Sequence, residues 1–153
     1  MPDWGYSVTG LDPGKTAKAS GRDLRISPKD SREVCKTLKG MKIDDAKRLL
    51  NEVVEKKRPI PITRYRKEVP HRHGVEGYAA GRYPIKVAKN LLKILESLES
   101  NATYKGLDLE RLRIIHIASQ RARVLRKYIP RAHGRATPYF NKLTHLEVVV
   151  EEV

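Results

Sequence analysis

The chain has 153 residues and a mass of 17.5 kDa, a length that suits one domain with a sizeable core. Its 32 Lys and Arg residues against 18 Asp and Glu leave a formal charge of +14, and 39% hydrophobic residues argue against extended disorder. The apolar runs are too short for a transmembrane helix, the opening Met-Pro-Asp-Trp lacks a basic region followed by an apolar stretch, and the lone Cys35 cannot form an internal disulfide, so neither a membrane span nor a secretory signal is expected and a reducing cytosol suits the chain.

Residues 1–16 contain Gly5, Gly10, Pro13 and Gly14 without a sustained period and read as an irregular arm, with Trp4 and Tyr6 available to tether it. Ala17–Ile26 is a short extended candidate. Ser27 then offers an N-cap, Pro28 the first helical position and Asp30 a capping-box-like spacing. Val34 and Leu38 mark one face of this first helix, and Gly40 ends it. A second helix is expected from about Asp44 to Lys56, with Ala46, Leu49, Leu50, Val53 and Val54 on one stripe, and Pro59 and Pro61 stop it. Residues 58–83 form an irregular basic loop that carries Arg58, Arg64, Arg66, Lys67, Arg72 and Arg82 among Pro, Gly, Tyr and His; Tyr65 and Tyr78 are candidates for stacking on bases or for simple packing. A third helix is expected from about Pro84 to Leu98, where Ile85, Ala88, Leu91, Leu92, Leu95 and Leu98 make the most regular apolar stripe in the chain.

The sheet is expected from the C-terminal third. Leu112–Ile117 is rich in Ile and Leu146–Val150 in Val, and between them lies the turn-like Pro130-Arg131-Ala132-His133-Gly134-Arg135. The flanks are nearly equal, which suggests a long antiparallel hairpin over about 112–151 with its tip at 130–137; a basic helix over Arg121–Tyr128 is the competing reading. The expected fold class is therefore α+β: a single domain over 17–153, with three helices packed on a small antiparallel sheet and a long C-terminal β-hairpin extension.

Charge points to the partner. From Arg121 to His145 the cations Arg121, Arg123, Arg126, Lys127, Arg131, Arg135 and Lys142 are interrupted by no acidic residue. Such a stretch repels itself unless an anion neutralises it, which favours nucleic acid first and an anionic membrane surface second.

Several stretches resemble one family: Arg25-Ile26-Ser27-Pro28, the helix around Val87-Ala88-Lys89, Pro130-Arg131-Ala132-His133-Gly134-Arg135-Ala136, and Thr144-His145-Leu146-Glu147-Val148. In this order they resemble the universal large-subunit ribosomal proteins of the L-twenty-two family, in archaeal and eukaryotic form, over roughly residues 17–153. The resemblance implies a structural, RNA-binding protein, cytoplasmic and ribosome-bound, whose hairpin threads large-subunit rRNA and helps line the peptide exit tunnel. Its globular part would then sit near the tunnel exit. The implied partners are large-subunit rRNA, neighbouring large-subunit proteins and, at the tip, the nascent polypeptide, with no membrane insertion and no homo-oligomer. Carried over by position, the tip is Pro130, Arg131, Ala132, His133, Gly134 and Arg135. Arg121, Arg123, Arg126, Lys127, Arg131, Arg135 and Lys142 would contact rRNA phosphates, since a planar guanidinium grips phosphate bidentately. Tyr128, Tyr139 and Phe140 would stack on bases or pair across the ribbon, and Arg22, Arg25, Lys29 and Arg32 would form a second contact zone. Two features depart from the compact bacterial pattern: the stretch from about 58 to 82 is longer, and residues 1–16 are added. His133 replaces what is often another basic residue, which makes the charge at the tip depend on pH.

Catalytic, metal and cofactor chemistry find little support. Gly10-Leu11-Asp12-Pro13-Gly14-Lys15-Thr16 resembles a P-loop but has three residues between its glycines where four are needed. His71 and His73 lack the further ligands a zinc site requires. His116 reads as a core or edge histidine and Cys35 as a packing residue. Asp44 and Asp45 point in different directions on a helix and serve its N-terminus. No enzyme and no cofactor are expected, and the alternative function is another basic RNA-binding or chromatin-type protein.

Overall fold

A computed structural model describes residues 5–75 and 77–153; Trp4, expected to tether the arm, lies outside them. The elements run β1 (Thr16–Leu24), α1 (Pro28–Leu38), α2 (Ile43–Val54), β2 (Ile60–Pro61), β3 (Gly81–Arg82), α3 (Ile85–Tyr104), β4 (Leu112–Leu125), β5 (Tyr128–Pro130), β6 (Ala136–Pro138) and β7 (Asn141–Glu152). This is an α+β fold with three helices on an antiparallel sheet and a C-terminal hairpin.

The principal sheet has the order β1-β7-β4, with both pairings antiparallel. The expectation that the sheet comes from the C-terminal third needs correction, because β1, from the N-terminal side, supplies one edge. Its Ala17 and Ala19 are small and fully or almost fully buried, so the strand carries little of the apolar alternation that announces one. The β4–β7 ladder continues outward as the two-stranded β5–β6 sheet, with Tyr128 opposite Pro138 and Pro130 opposite Ala136. Arg121–Tyr128 is thus extended ribbon, not helix.

β7 is buried on both faces. Leu146, Val148 and Val150 point into the main core, together with Ile114 and Ile117 of β4 and the apolar stripes of the helices. His145, Glu147 and Val149 alternate with them and are buried as well. A register irregularity between Ile114 and His116 inserts one residue into β4. That bulge lets Ile114 and Ile117 both face the core, whereas strict alternation would put Ile117 outward, and it turns His116 to the outer face.

The helices form because their apolar positions fall on one side and their ends are closed. The Ser27 hydroxyl accepts from the Asp30 amide at 3.3 Å, and Pro28 occupies the first turn of α1 where no backbone donor is needed. α3 runs to Tyr104, six residues past the expected end at Leu98. Its last turns look polar in sequence, yet Ala102 is fully buried. Asn101 Nδ2 donates to the Lys18 carbonyl at 2.9 Å, and Lys105 Nζ donates to the carbonyls of Pro13 and Thr16 at 2.8 and 2.9 Å. The end of α3 thereby satisfies the free edge of β1. The opposite edge is covered by the α1–α2 connection, where Gly40 N–H donates to Ile114 O and Ile114 N–H to Met41 O, both at 2.9 Å.

The segment expected to be irregular, 58–83, closes on itself through the short β2–β3 pairing and a bridge between His71 and Ala80. Ile62, Val69 and Ala80 form its own small apolar cluster. Tertiary pairing of residues far apart in sequence gives this stretch its order, so local periodicity could not announce it.

Cys35 is 4% exposed, and burial pushes its thiol up to about 12. The neutral thiol is the form the core accepts, so this group's contribution to stability is complete below the ordinary thiol range near 9.0 and is lost as pH rises from there toward 12. Maleimide labelling at neutral pH is expected only once the chain unfolds, and thermal stability is expected to fall above about pH 9 less steeply in Cys35→Ala than in the parent. Rapid labelling of the folded protein would contradict this placement.

Candidate nucleic-acid interface

Past the Arg121–Thr144 pair the ribbon leaves the body, because β1 pairing with β7 ends where Leu24 meets Thr144. At about 3.3 Å per residue, residues 121–133 extend it by roughly 40 Å. No residue from 121 to 142 is buried. Seven cations and no carboxylate fall in this span, so nothing within the ribbon itself neutralises it. Val124, Leu125, Tyr128, Ile129, Tyr139 and Phe140 are large apolar residues that remain exposed there.

The ribbon nevertheless has internal order. Tyr128 and Phe140 meet edge to face at 5.8 Å, and Tyr139 N–H donates to Lys127 O at 2.6 Å, which carries the hydrogen bonding across the break between the two ladders. At the tip Arg131 N–H donates to Arg135 O at 2.8 Å, and His133 and Gly134 both adopt positive φ, +60° and +64°. Histidine tolerates this left-handed region better than most side chains and glycine best of all, which gives a conformational reason for His133 beyond its charge. The tip residues Pro130, Arg131, Ala132, His133, Gly134 and Arg135 are all exposed.

The second group of predicted cations divides. Arg25 lies beside the ribbon base, in an open groove shared with Ser27, Lys86, Tyr139, Phe140 and Lys142. Lys29 and Arg32 lie on the other side of the first turn of α1, in a depression with Arg64, Tyr65, Ser119 and Arg121. The two contact zones expected from sequence are therefore continuous: the start of α1 sits between them, and its positive N-terminal end adds to both. Arg22 does not join this face. Its guanidinium reaches Gly5 O at 3.5 Å, on the arm.

Two of the predicted cations are matched internally. Arg123 pairs with Asp23 at 3.3 Å, and Arg32 with the buried Glu33. Arg25, Lys86, Arg121, Arg126, Lys127, Arg131, Arg135 and Lys142 have no ion-pair partner among the described residues. Lys86 is a neighbour that sequence reasoning did not place at this interface, whereas Arg64 and Tyr65, read as a loop cation and a candidate stacking ring, are brought beside Lys29 and Arg32. Tyr65 arrives there because Glu33 accepts from the Thr63 amide and hydroxyl at 2.9 and 2.7 Å, and Lys29 Nζ sits 4.5 Å above the Tyr65 ring.

The P-loop-like string folds as a turn in which Gly14 N–H donates to the Asp12 carboxylate at 2.9 Å and Thr16 Oγ1 to Asp12 O at 2.7 Å. Strand β1 follows it, whereas a phosphate loop leads into a helix. Among the described residues no group of His, Cys, Asp and Glu is arranged to hold a metal ion, and no helix is long and apolar enough to cross a membrane.

Glu33 carries a structural prediction. Replacing it with Ala leaves the Thr63 donors unpaired and is expected to cost about 1–3 kcal/mol. Limited proteolysis should then cut faster within 64–78, while the thermal midpoint drops by several degrees. Unchanged cleavage would mean that the short β2–β3 pairing holds the segment unaided.

A family model described as ribosomal protein L22p/L17e matches residues 19–151. The chain is 52% identical to the large ribosomal subunit protein uL22 of Thermofilum pendens, an alignment that covers 100% of this chain and 99% of that protein. It is 49% identical to the protein of the same name from Methanopyrus kandleri, over 97% and 96% of the two chains, and 51% identical to that of Archaeoglobus fulgidus, over 95% and 94%.

Proposed function

The chain belongs to the ribosomal protein L22p/L17e family, and from that membership we propose that it is a structural, non-catalytic protein of the large ribosomal subunit, holding rRNA with its basic ribbon. The observation that carries the reading is the ribbon itself. Residues 121–142 bury no side chain, carry seven cations without a carboxylate, and still keep cross-strand order. A two-stranded ribbon is marginal in water. One built this way gains its stability by laying its cations and exposed aromatic rings against a polyanion that also offers flat bases.

In this reading Arg121, Arg126, Lys127, Arg131, Arg135 and Lys142 neutralise rRNA phosphates, and Arg25, Lys29, Arg32 and Arg64 extend the contact onto the body. Arg22 and Arg123 first brace the arm and the ribbon base. Reach along the ribbon lets it join rRNA segments that are distant in sequence, which makes it a staple during assembly. The family resemblance adds that the tip at 130–137 helps line the peptide exit tunnel and faces the nascent chain, with the globular part near the tunnel exit. Neighbouring large-subunit proteins are the remaining partners, and the place of action is the cytoplasmic ribosome.

Counterion release gives the reading a quantitative test. Each phosphate contact to single-stranded RNA contributes about 0.7 to the slope of log affinity against log salt. The fourfold variant Arg126→Ala, Lys127→Ala, Arg131→Ala, Arg135→Ala is expected to lower that slope by roughly 3 on transcribed large-subunit rRNA, with the thermal midpoint of the body unchanged. An unaltered slope would remove the ribbon from the interface. In cells, deletion of residues 125–140 is expected to yield defective subunits with an altered tunnel; normal subunits with an unaltered tunnel would defeat the stapling and tunnel readings together.

A further inference from the structure

The groove at the ribbon base differs from the rest of the basic surface. It is an open groove of about 650 Å³, a volume within the roughly 300–1,000 Å³ of small-ligand sites. Its walls come from three elements: the residues leading into α1 (Arg25, Ser27), the start of α3 (Lys86), and the return arm of the ribbon (Tyr139, Phe140, Lys142). Arg25, Lys86 and Lys142 converge here with no ion-pair partner among the described residues. The one carboxylate in the first turn of α1, that of Asp30, instead faces Arg82 at 4.0 Å. Tyr139 is 56% exposed and its ring has no ring or cation partner among the described residues, while Phe140 is 44% exposed with Tyr128 set perpendicular to it. The neighbouring depression around Lys29 is otherwise disposed, since its Tyr65 ring is already covered by Lys29 and its Arg32 already paired with Glu33.

Three free cations beside two exposed rings match the two parts of a nucleotide. A duplex would use the cations alone, because its bases are stacked away from the rings. We propose that this groove seats a single unstacked nucleotide of rRNA, its base against Tyr139 or Phe140 and its phosphate between Arg25, Lys86 and Lys142. The proposal rests on the rRNA reading above and deepens it: the junction of ribbon and body becomes a specific clamp on one extruded base, distinct from the distributed phosphate contacts farther out. The opening of α1 reinforces the phosphate side, since Ser27 and Pro28 line the same groove and the helix presents its positive end there.

Ultraviolet crosslinking of the full chain to transcribed large-subunit rRNA of Thermofilum pendens, followed by mass spectrometry, tests it. The expected product is a nucleotide adduct on the tryptic peptide 136–142 that maps to an unpaired position. The double variant Tyr139→Leu, Phe140→Leu should abolish the adduct and weaken binding about tenfold without changing the salt slope, as loss of stacking requires. Lys86→Ala should lower the slope by about 0.7. Both variants change exposed side chains; an unchanged thermal midpoint will establish that the body folds, and retained exchange protection of the Tyr139 amide, which donates to Lys127 O, that the ribbon keeps its pairing. Salt-dependent rRNA binding with no adduct on 136–142, or with adducts at paired nucleotides only, would overturn the proposal and leave the rRNA reading standing. Absence of any rRNA binding would overturn both. Displacement of the adduct by poly-glutamate as effectively as by a single-stranded oligonucleotide of equal charge would assign the groove to acidic polypeptide and overturn the nucleotide.

Discussion

Burial of β7 on both faces is the constraint from which the rest of the molecule follows. The strand is hydrogen-bonded along both edges, to β1 and to β4, and it is also one arm of the protruding ribbon. Its core face takes the helices through Leu146, Val148 and Val150. Its outer face is partly polar, with His145 and Glu147, and must be covered and satisfied. Asp23 N–H donates to His145 Nδ1 at 3.0 Å, Ser7 N–H donates to Glu147 Oε2 at 2.9 Å, and Gln120 donates to the same carboxylate. The described part of the arm is therefore the lid on the second face of the sheet, and Ser7 Oγ, 3.1 Å from His116 Nε2, meets the histidine that the β4 bulge turned outward. Anchored on four sides, β7 holds the ribbon base rigid while the ribbon beyond it has no core at all.

That contrast explains how charge is distributed. Unpaired like charges closer than the Debye length, about 8 Å at physiological salt, repel one another, and the ribbon places Arg126 and Lys127 in adjacent positions. Folding energy generated in the body cannot offset this far out, where no apolar contact reaches. The ribbon substitutes cross-strand hydrogen bonds and the Tyr128–Phe140 pair, which preserve direction and spacing but leave its cations without neutralisation beyond Arg123. A prearranged, under-neutralised ribbon loses less conformational entropy on binding than a disordered basic tail would.

Local signals carried much of this into the sequence. Ser27-Pro28 with Asp30 marks the start of α1 because capping is a matter of a few adjacent residues, and the stripe from Ile85 to Leu98 marks α3 because one face must be apolar. The unmixed charge of 121–142 and the symmetric flanks of 130–135 announced the ribbon for the same reason. What escaped depends on contacts between distant residues. The extended stretch at Ala17–Ile26 was legible, but its pairing as an edge of the main sheet was not, because β1 has few apolar residues and is placed by β7, which needs a second edge partner. The last turns of α3 hold because Asn101 and Lys105 find carbonyls on β1 and the arm. Lys86 looks like an ordinary surface cation and Arg64 like one of several in a basic loop, and only the fold brings them beside Arg25 and Arg121. Tyr139 was legible as an aromatic among cations, but its place in a groove was not.

The internal carboxylates complete the electrostatic argument. Asp23 and Glu33 sit at the body end of the basic surface, where they match Arg123 and Arg32, and none lies farther out. Arg32 and Arg123 are thereby fixed in position and partly neutralised, while Arg126, Lys127, Arg131 and Arg135 farther out have no ion-pair partner among the described residues. A buried or half-buried carboxylate orients a guanidinium at modest cost when hydrogen bonds from elsewhere satisfy it, as Thr63 does for Glu33. The surface then grades from a shaped, positioned junction to an open, strongly positive ribbon. Arg25, Lys86, Lys142 and the two rings are held at the junction by strand, helix and cap together, whereas the cations farther out are placed by the ribbon alone. Charge spread along an open ribbon and charge gathered in a shaped groove are in this way separated between the hairpin and its base.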